Sequence, residues 1–202
     1  MSRAVLVSLL AAGLSACATD QRLADRDAVA PAAEARAAAL ADRFQKELLT
    51  ALTAAMQNGG PASAVGVCST IAPSIARNLS EESGATVRRT ALRTRNPAAE
   101  PDALERRTME NWSEAPMGVD GRPAQWSGWD GGEYRYMRAI PTMPMCLTCH
   151  GENVAPEVKA AIKTHYPSDQ ATGFKAGQMR GAFSIRWDEK ALQRLLRKGV
   201  QS

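Results

Sequence analysis

Three features of the 202-residue chain predict an α+β domain. Long stretches with apolar residues at helical spacing come first, short Val-, Thr- and Tyr-rich runs follow, and helical patterns separate those runs. The hydrophobic fraction of 45% suits a globular core, but only 5% of residues are aromatic, so that core relies on Ala, Leu, Ile, Val and Met, or on a bound group. The net charge is +4, with Lys and Arg interspersed among acids, which argues against nucleic-acid binding.

Residues 1–16 read as a removable leader. Arg3 gives it a positive start, and Ala4 to Leu14 form an apolar stretch well short of the ~18–20 residues of a spanning helix. Leu14-Ser15-Ala16-Cys17 reads as a lipobox, which makes Cys17 the lipid-bearing residue; an ordinary secretory leader with an incidental cysteine is the alternative. Either way the mature chain is expected outside the cytoplasm, lipid-anchored in a bacterial periplasm. Ala18 is not the acidic residue of inner-membrane retention, which points to the outer membrane. Residues 17–36 are then the lipidated N-terminus and a polar, Ala-rich tether, and residues 37–202 form the domain.

A long helix is expected from about Ala32 to Gln57, with Leu40, Phe44, Leu48, Leu52 and Met56 on one stripe, ended by Asn58-Gly59-Gly60. Pro61 opens a second helix, whose inner face carries Ala64, Cys68, Ile71, Ile75 and Leu79, with a kink or break at Pro73. Ala85 to Thr94 reads as a strand and Pro101 to Trp112 as a helix. Pro116 to Gly132 reads as a loop holding Trp126 and Trp129, which either cover a bound group or anchor that loop. Tyr134 to Ile140 and Gly181 to Trp187 read as strands, Pro156 to His165 and Asp188 to Lys198 as helices.

Cys146-Leu147-Thr148-Cys149-His150 carries the chemistry. The two-residue gap lets both sulfurs reach the two vinyl groups on one edge of a porphyrin, and the adjacent His150 then lies under the iron. This is the attachment signature of a covalently bound c-type haem, one per chain. A strained disulfide, a redox dithiol and a zinc site drawn from Cys68, Cys146, Cys149 and His150 or His165 are rivals, the last lacking a second close ligand pair. With Cys17 assigned to lipid, Cys68 is the cysteine left over. It is either a small buried hydrophobe or a second axial ligand opposite His150. Met117, Met137, Met143, Met145, Met179 and His165 compete for that position. Arg93, Arg95 and Arg138 are candidates for the haem propionates, since Arg pairs well with carboxylates.

Several stretches resemble a known family. They are Val67-Cys68-Ser69-Thr70-Ile71-Ala72-Pro73; Arg93-Thr94-Arg95-Asn96-Pro97 with Pro101 and Glu105; Tyr134 to Ile140 leading into Cys146–Gly151; and Tyr166-Pro167 through Ala171-Thr172-Gly173-Phe174 to Arg180-Gly181-Ala182. The resemblance is to exported single-haem domains with a PAS-like fold, first catalogued as a domain of unknown function. It implies a PAS-like antiparallel sheet with long N-terminal helices, and it puts Cys68 at the family's axial cysteine position. It also implies a redox- or ligand-responsive sensor module that works through a signalling or redox partner. The alternative is an electron-transfer cytochrome anchored to the membrane. No pairing of distal acid and base argues for an enzyme.

Overall fold

The computed structural model describes the backbone of residues 10–199 and the side chains of residues 25–197. Residues 1–9 of the expected leader and the Cys17 side chain lie outside them. Helix α1 runs over Leu10–Ser83 and is interrupted at Gly60 (φ 72°, ψ −177°), within the Asn58-Gly59-Gly60-Pro61 run that divides the expected pair of helices. Strand β1 is Thr86–Thr90, helix α2 Ala103–Trp112, β2 Gln125–Asp130 and β3 Glu133–Pro141. The short helix α3 (Leu147–His150), α4 (Pro156–His165), β4 (Met179–Asp188) and α5 (Glu189–Gly199) follow, and two 3₁₀ turns cover Pro97–Ala99 and Pro144–Cys146.

The four strands form one antiparallel sheet in the order β1-β4-β3-β2, so the α+β class and the PAS-like antiparallel sheet with its long N-terminal helix are as expected. Among the described residues, no helix is long and apolar enough to cross a membrane.

Helix α1 covers one face of the sheet. Its buried stripe is Ala33, Ala37, Ala41, Phe44 and Leu48, set against Val87, Tyr134, Tyr136, Phe183, Ile185 and Trp187. Three alanines in this row let the helix backbone lie close to the strands. Phe44 then fills the gap and meets the Phe183 ring at 5.5 Å between centroids; burying such a side chain contributes ~1.5–3 kcal/mol. This stripe starts earlier than expected. Residues 19–31, read as a tether, are helical, and Arg26 bonds Glu189 (2.8 Å) and the Gly131 carbonyl (3.0 Å). Alanine is the best helix former, so an Ala-rich run with little hydropathy still makes helix once a partner surface exists.

Three further expectations change. Pro73 stays within helical geometry, because its fixed φ suits a helix and the sacrificed bond is one of many along α1. Trp126 and Trp129 lie on β2 rather than in a loop: Asp130 pairs with Glu133 across Gly131-Gly132, a two-residue hairpin. Ile71 is 37% exposed, off the inner face of its helix, while Ala64, Ile75 and Leu79 are buried as expected.

Helix α2 covers the other face through Met109, which packs with Met137, Met179 and Ala182. Its start is a reciprocal cap: Asp102 accepts from the Glu105 N–H (2.9 Å) and the Glu105 carboxylate accepts from the Asp102 N–H (3.0 Å). Burial alone raises the Asp102 carboxyl, but the Glu105 N–H and the Arg135 guanidinium outweigh it and hold the carboxyl below its ordinary 3.8. A depressed acid stabilises the fold above its unfolded value, and that share is lost as pH falls through the folded value. Asp102→Ala is therefore expected to cost ~1–2 kcal/mol at pH 7. Denaturant titrations of both proteins should converge below about pH 4; an unchanged gap at pH 3 would contradict the assignment.

Candidate haem site

Cys146, Cys149 and His150 hang between the sheet and α4. Pro144 opens the turn into α3, and the Gly151 N–H closes it on the Leu147 carbonyl (2.9 Å). The segment 169–174 clamps this motif. The Phe174 N–H donates to the His150 carbonyl (2.9 Å), and the Gly173 N–H to the Gly151 carbonyl (2.9 Å). Arg95 ties the clamp down, with Nε on the Asp169 carboxylate (2.9 Å) and Nη2 on the Cys149 carbonyl (2.6 Å).

His150 Nδ1 lies 2.7 Å from the Ala171 carbonyl oxygen. Only a protonated Nδ1 satisfies that contact, so Nε2 carries the free lone pair. Burial, followed by the nearby Arg180 and Arg95 cations, pushes the His150 pKa well below its ordinary value, so the ring is neutral at physiological pH. A neutral, oriented imidazole is what a metal ligand requires.

His150 forms one wall of a cavity of about 310 Å³, and Cys68 of α1 forms another. The remaining walls combine small or apolar residues, among them Ala72, Pro73, Ala76, Ala91, Gly181 and Phe44, with a group of arginines. Gly181 is obligatory, since a Cβ there would lie 2.5 Å from the Thr90 carbonyl oxygen. Burial pushes up both the Cys68 and Cys149 thiols, only partly offset by neighbouring arginines. Among the described residues, none holds Cys68 by a hydrogen bond. Cys146 and Cys149 are not joined as a disulfide.

None of Met117, Met137, Met143, Met145, Met179 and His165 lines this cavity. Met137 and Met179 pack on the α2 face, Met117, Met143 and Met145 are exposed, and His165 lies against Gly66. Trp126 and Trp129 are likewise outside it. Among the described residues, no three His, Cys, Asp or Glu side chains converge to hold a metal ion, which leaves the zinc alternative without a ligand set.

The three arginines expected at the propionates differ in placement. Arg95 lines the cavity, but its Nε and Nη2 are engaged in the clamp. Arg93 is outside the cavity; it bonds the Gln170 and Thr172 carbonyls and lies 4.3 Å over the Phe174 ring. Arg138, also outside, bonds Asp42 (2.6 Å). Sequence reasoning missed Arg89 and Arg180, both in the wall. Among the described residues Arg89 has no hydrogen-bond or ion-pair partner, and burial lowers its pKa. Arg180 occupies the β-bulge where β4 slips against Ile140 and Pro141. Strand alternation after Val87 could have signalled Arg89; a bulge leaves no such trace.

The fold and the site together define a PAS-like domain with a C-x-x-C-H turn beside a cysteine-lined cavity. The chain belongs to the Tll0287-like family, whose model matches residues 16–187, so the family resemblance read from the motifs holds. Among solved structures it is similar to the crystal structure of the cyanobacterial heme-protein Tll0287. The identity is 23% and the TM-score 0.62, over 79% of this chain and 96% of that one. No curated protein matches.

Proposed function

We propose that the protein is a membrane-anchored c-type monohaem module that responds to redox state or to a small ligand, and is not an enzyme. The observation that carries this reading is the presence of His150 and Cys68 in the wall of one cavity, with Cys146 and Cys149 at the turn that presents His150. The residues fit the group. Small side chains leave room for a flat macrocycle, the thiols suit thioether attachment, and Arg89 offers a cation to a propionate. The heme-protein named in the structural match supports the same cofactor.

A bound haem supplies a one-electron centre and a coordination position for a diatomic ligand. Cys146 and Cys149 would hold one porphyrin edge. His150 would present Nε2, since its Nδ1–H donates to the Ala171 carbonyl. Cys68 would offer a sulfur as second ligand. The two ligand side chains differ in support: the His150 ring is held by the Ala171 carbonyl, whereas among the described residues no hydrogen bond holds the Cys68 thiol. A ligand without outer support is the one that leaves, which favours a responsive module over an electron-transfer cytochrome that keeps both ligands. The leader and lipobox add a lipid on Cys17, a periplasmic setting at the outer membrane, and a redox or signalling protein as partner.

Protein made in a host with haem-maturation machinery is expected to be red, to keep its haem through acid–acetone extraction, and to change coordination on reduction or under CO. Freely extracted haem would overturn the covalent assignment. Six-coordinate spectra unchanged by reduction and CO would favour the electron carrier. Mass spectrometry of the same sample reads the haem on the peptide of Cys146 and Cys149, and the acyl groups on Cys17.

A further inference from the structure

The wall of the cavity beside His150 holds a buried positive charge. Arg180 is only 8% exposed. Its Nη1 donates to the Arg93 carbonyl (3.3 Å), its guanidinium lies 5.5 Å from the Phe174 ring centre, and its Nε stands 3.2 Å from His150 Nδ1. That last contact is not a hydrogen bond. The Nδ1–H donates to the Ala171 carbonyl at 2.7 Å, so Nδ1 and Arg180 Nε are both donors. The alternative tautomer would set the Nδ1 lone pair against that carbonyl oxygen and put the proton on Nε2, where no metal could bind.

Among the described residues, no carboxylate pairs with this cation. Asp169 is engaged by Arg95 (2.9 Å) and Glu105 by Arg88 (3.5 Å), the two acid–arginine pairs beside the cavity. A buried charge without a partner is costly and is kept where it acts. The strand irregularity supplies the means: regular pairing of β4 would give Arg180 a partner on β3, whereas the bulge leaves it unpaired beside the motif.

We propose that Arg180 is a positioning residue that acts on the haem iron through His150, its charge restraining the imidazole from donating electron density and raising the reduction potential. This rests on the haem assignment above. The sign follows from electrostatics. The Nδ1–H···O bond to Ala171 makes the imidazole a stronger donor and favours the oxidised iron. A fixed cation against the same nitrogen opposes that, and it stabilises the reduced site, which carries one more negative charge. Burial and the neighbouring Arg89 and Arg95 lower the Arg180 pKa to about 9, which leaves it cationic at neutral pH.

The test is redox titration of the haem-loaded protein, with ferric electron paramagnetic resonance to count axial ligands. Arg180→Gln is expected to keep its haem and both ligands and to show a lower potential. Arg180→Lys, which keeps the charge, is expected to recover most of the difference. Arg180→Met, apolar and of similar length, removes the same charge should the Gln variant fail to fold. An unchanged potential in haem-loaded Arg180→Gln or Arg180→Met overturns the inference alone, as do equal shifts in the Lys and Gln variants. A wild type that holds no covalent haem overturns the haem assignment and this inference with it.

Discussion

Cys68→Ser is expected to leave the protein red and to abolish its wild-type ferric signature. The thioether bonds at Cys146 and Cys149 are untouched, so haem stays attached, while a soft anionic sulfur opposite His150 is replaced by a hydroxyl that binds iron poorly. Loss of that donor raises the reduction potential, and Cys68→Met raises it further if its sulfur reaches the iron. A cysteine that serves only as packing behaves otherwise. Setting a hydroxyl in its half-buried site would cost ~1–3 kcal/mol and leave the electronics alone. Electron paramagnetic resonance separates the two, and identical low-spin ferric signals in wild type and Cys68→Ser would exclude Cys68. The structure narrows what would replace it, since none of the competing methionines and neither ring nitrogen of His165 reaches the cavity wall.

The Cys146→Ser/Cys149→Ser double variant is expected to release nearly all its haem into acid–acetone, where the wild type releases none. Both thioethers are gone, and what remains is coordination by His150 and Cys68 and the cation of Arg89, all of which acid disrupts. Each single variant keeps one bond and holds its haem. Cys149 also packs against the cluster of Val65, Val158 and Ile162. The double variant should therefore lose some stability even before haem is considered, measurable as a lower denaturant midpoint. Haem retained by the double variant would mean that another side chain forms the covalent link.

How much was legible depended on how local the chemistry is. The Cys146–His150 motif needs five consecutive residues and nothing else, so it was plain. Cys68 was legible in two ways, as the unassigned cysteine and as a member of the Ala64–Ile75–Leu79 face. The helix around it is legible except at Ile71, which lies off the inner face, and at Pro73, where the general rule about proline loses to a long helix already held by its neighbours. Ala33, Ala37 and Ala41 were invisible for the opposite reason. Their hydropathy is slight, and their value lies in letting two backbones approach, which depends on a sheet whose central strands lie far along the chain. The hairpin at Gly131-Gly132 has a weak sequence signal, because its first strand, Gln125–Asp130, contains no Val or Ile. Arg180 stands in a family-like stretch, but its place in the cavity wall is not legible from sequence. Its position follows from a register slip between two strands, and neither strand alone encodes it.

The presence of Cys68 and His150 in the wall of one cavity also bears on how the chain is tied together. One lies on the second half of α1 and the other beyond three strands of the sheet. On the proposed ligation, a single group gripping both would be a staple between distant stretches of the polymer, comparable in kind to a disulfide that shuts most of the domain into a ring. In the chain-entropy model such a closure, over a loop approaching ~100 residues, removes ~4–5 kcal/mol of freedom from the unfolded ensemble. Such a staple would have a releasable end, because in the proposed attachment only the His150 side is also anchored by covalent bonds. Opening it at Cys68 would return that freedom to α1 while the group stays fixed to the turn below, so a change at one atom would be felt as slack along a whole helix.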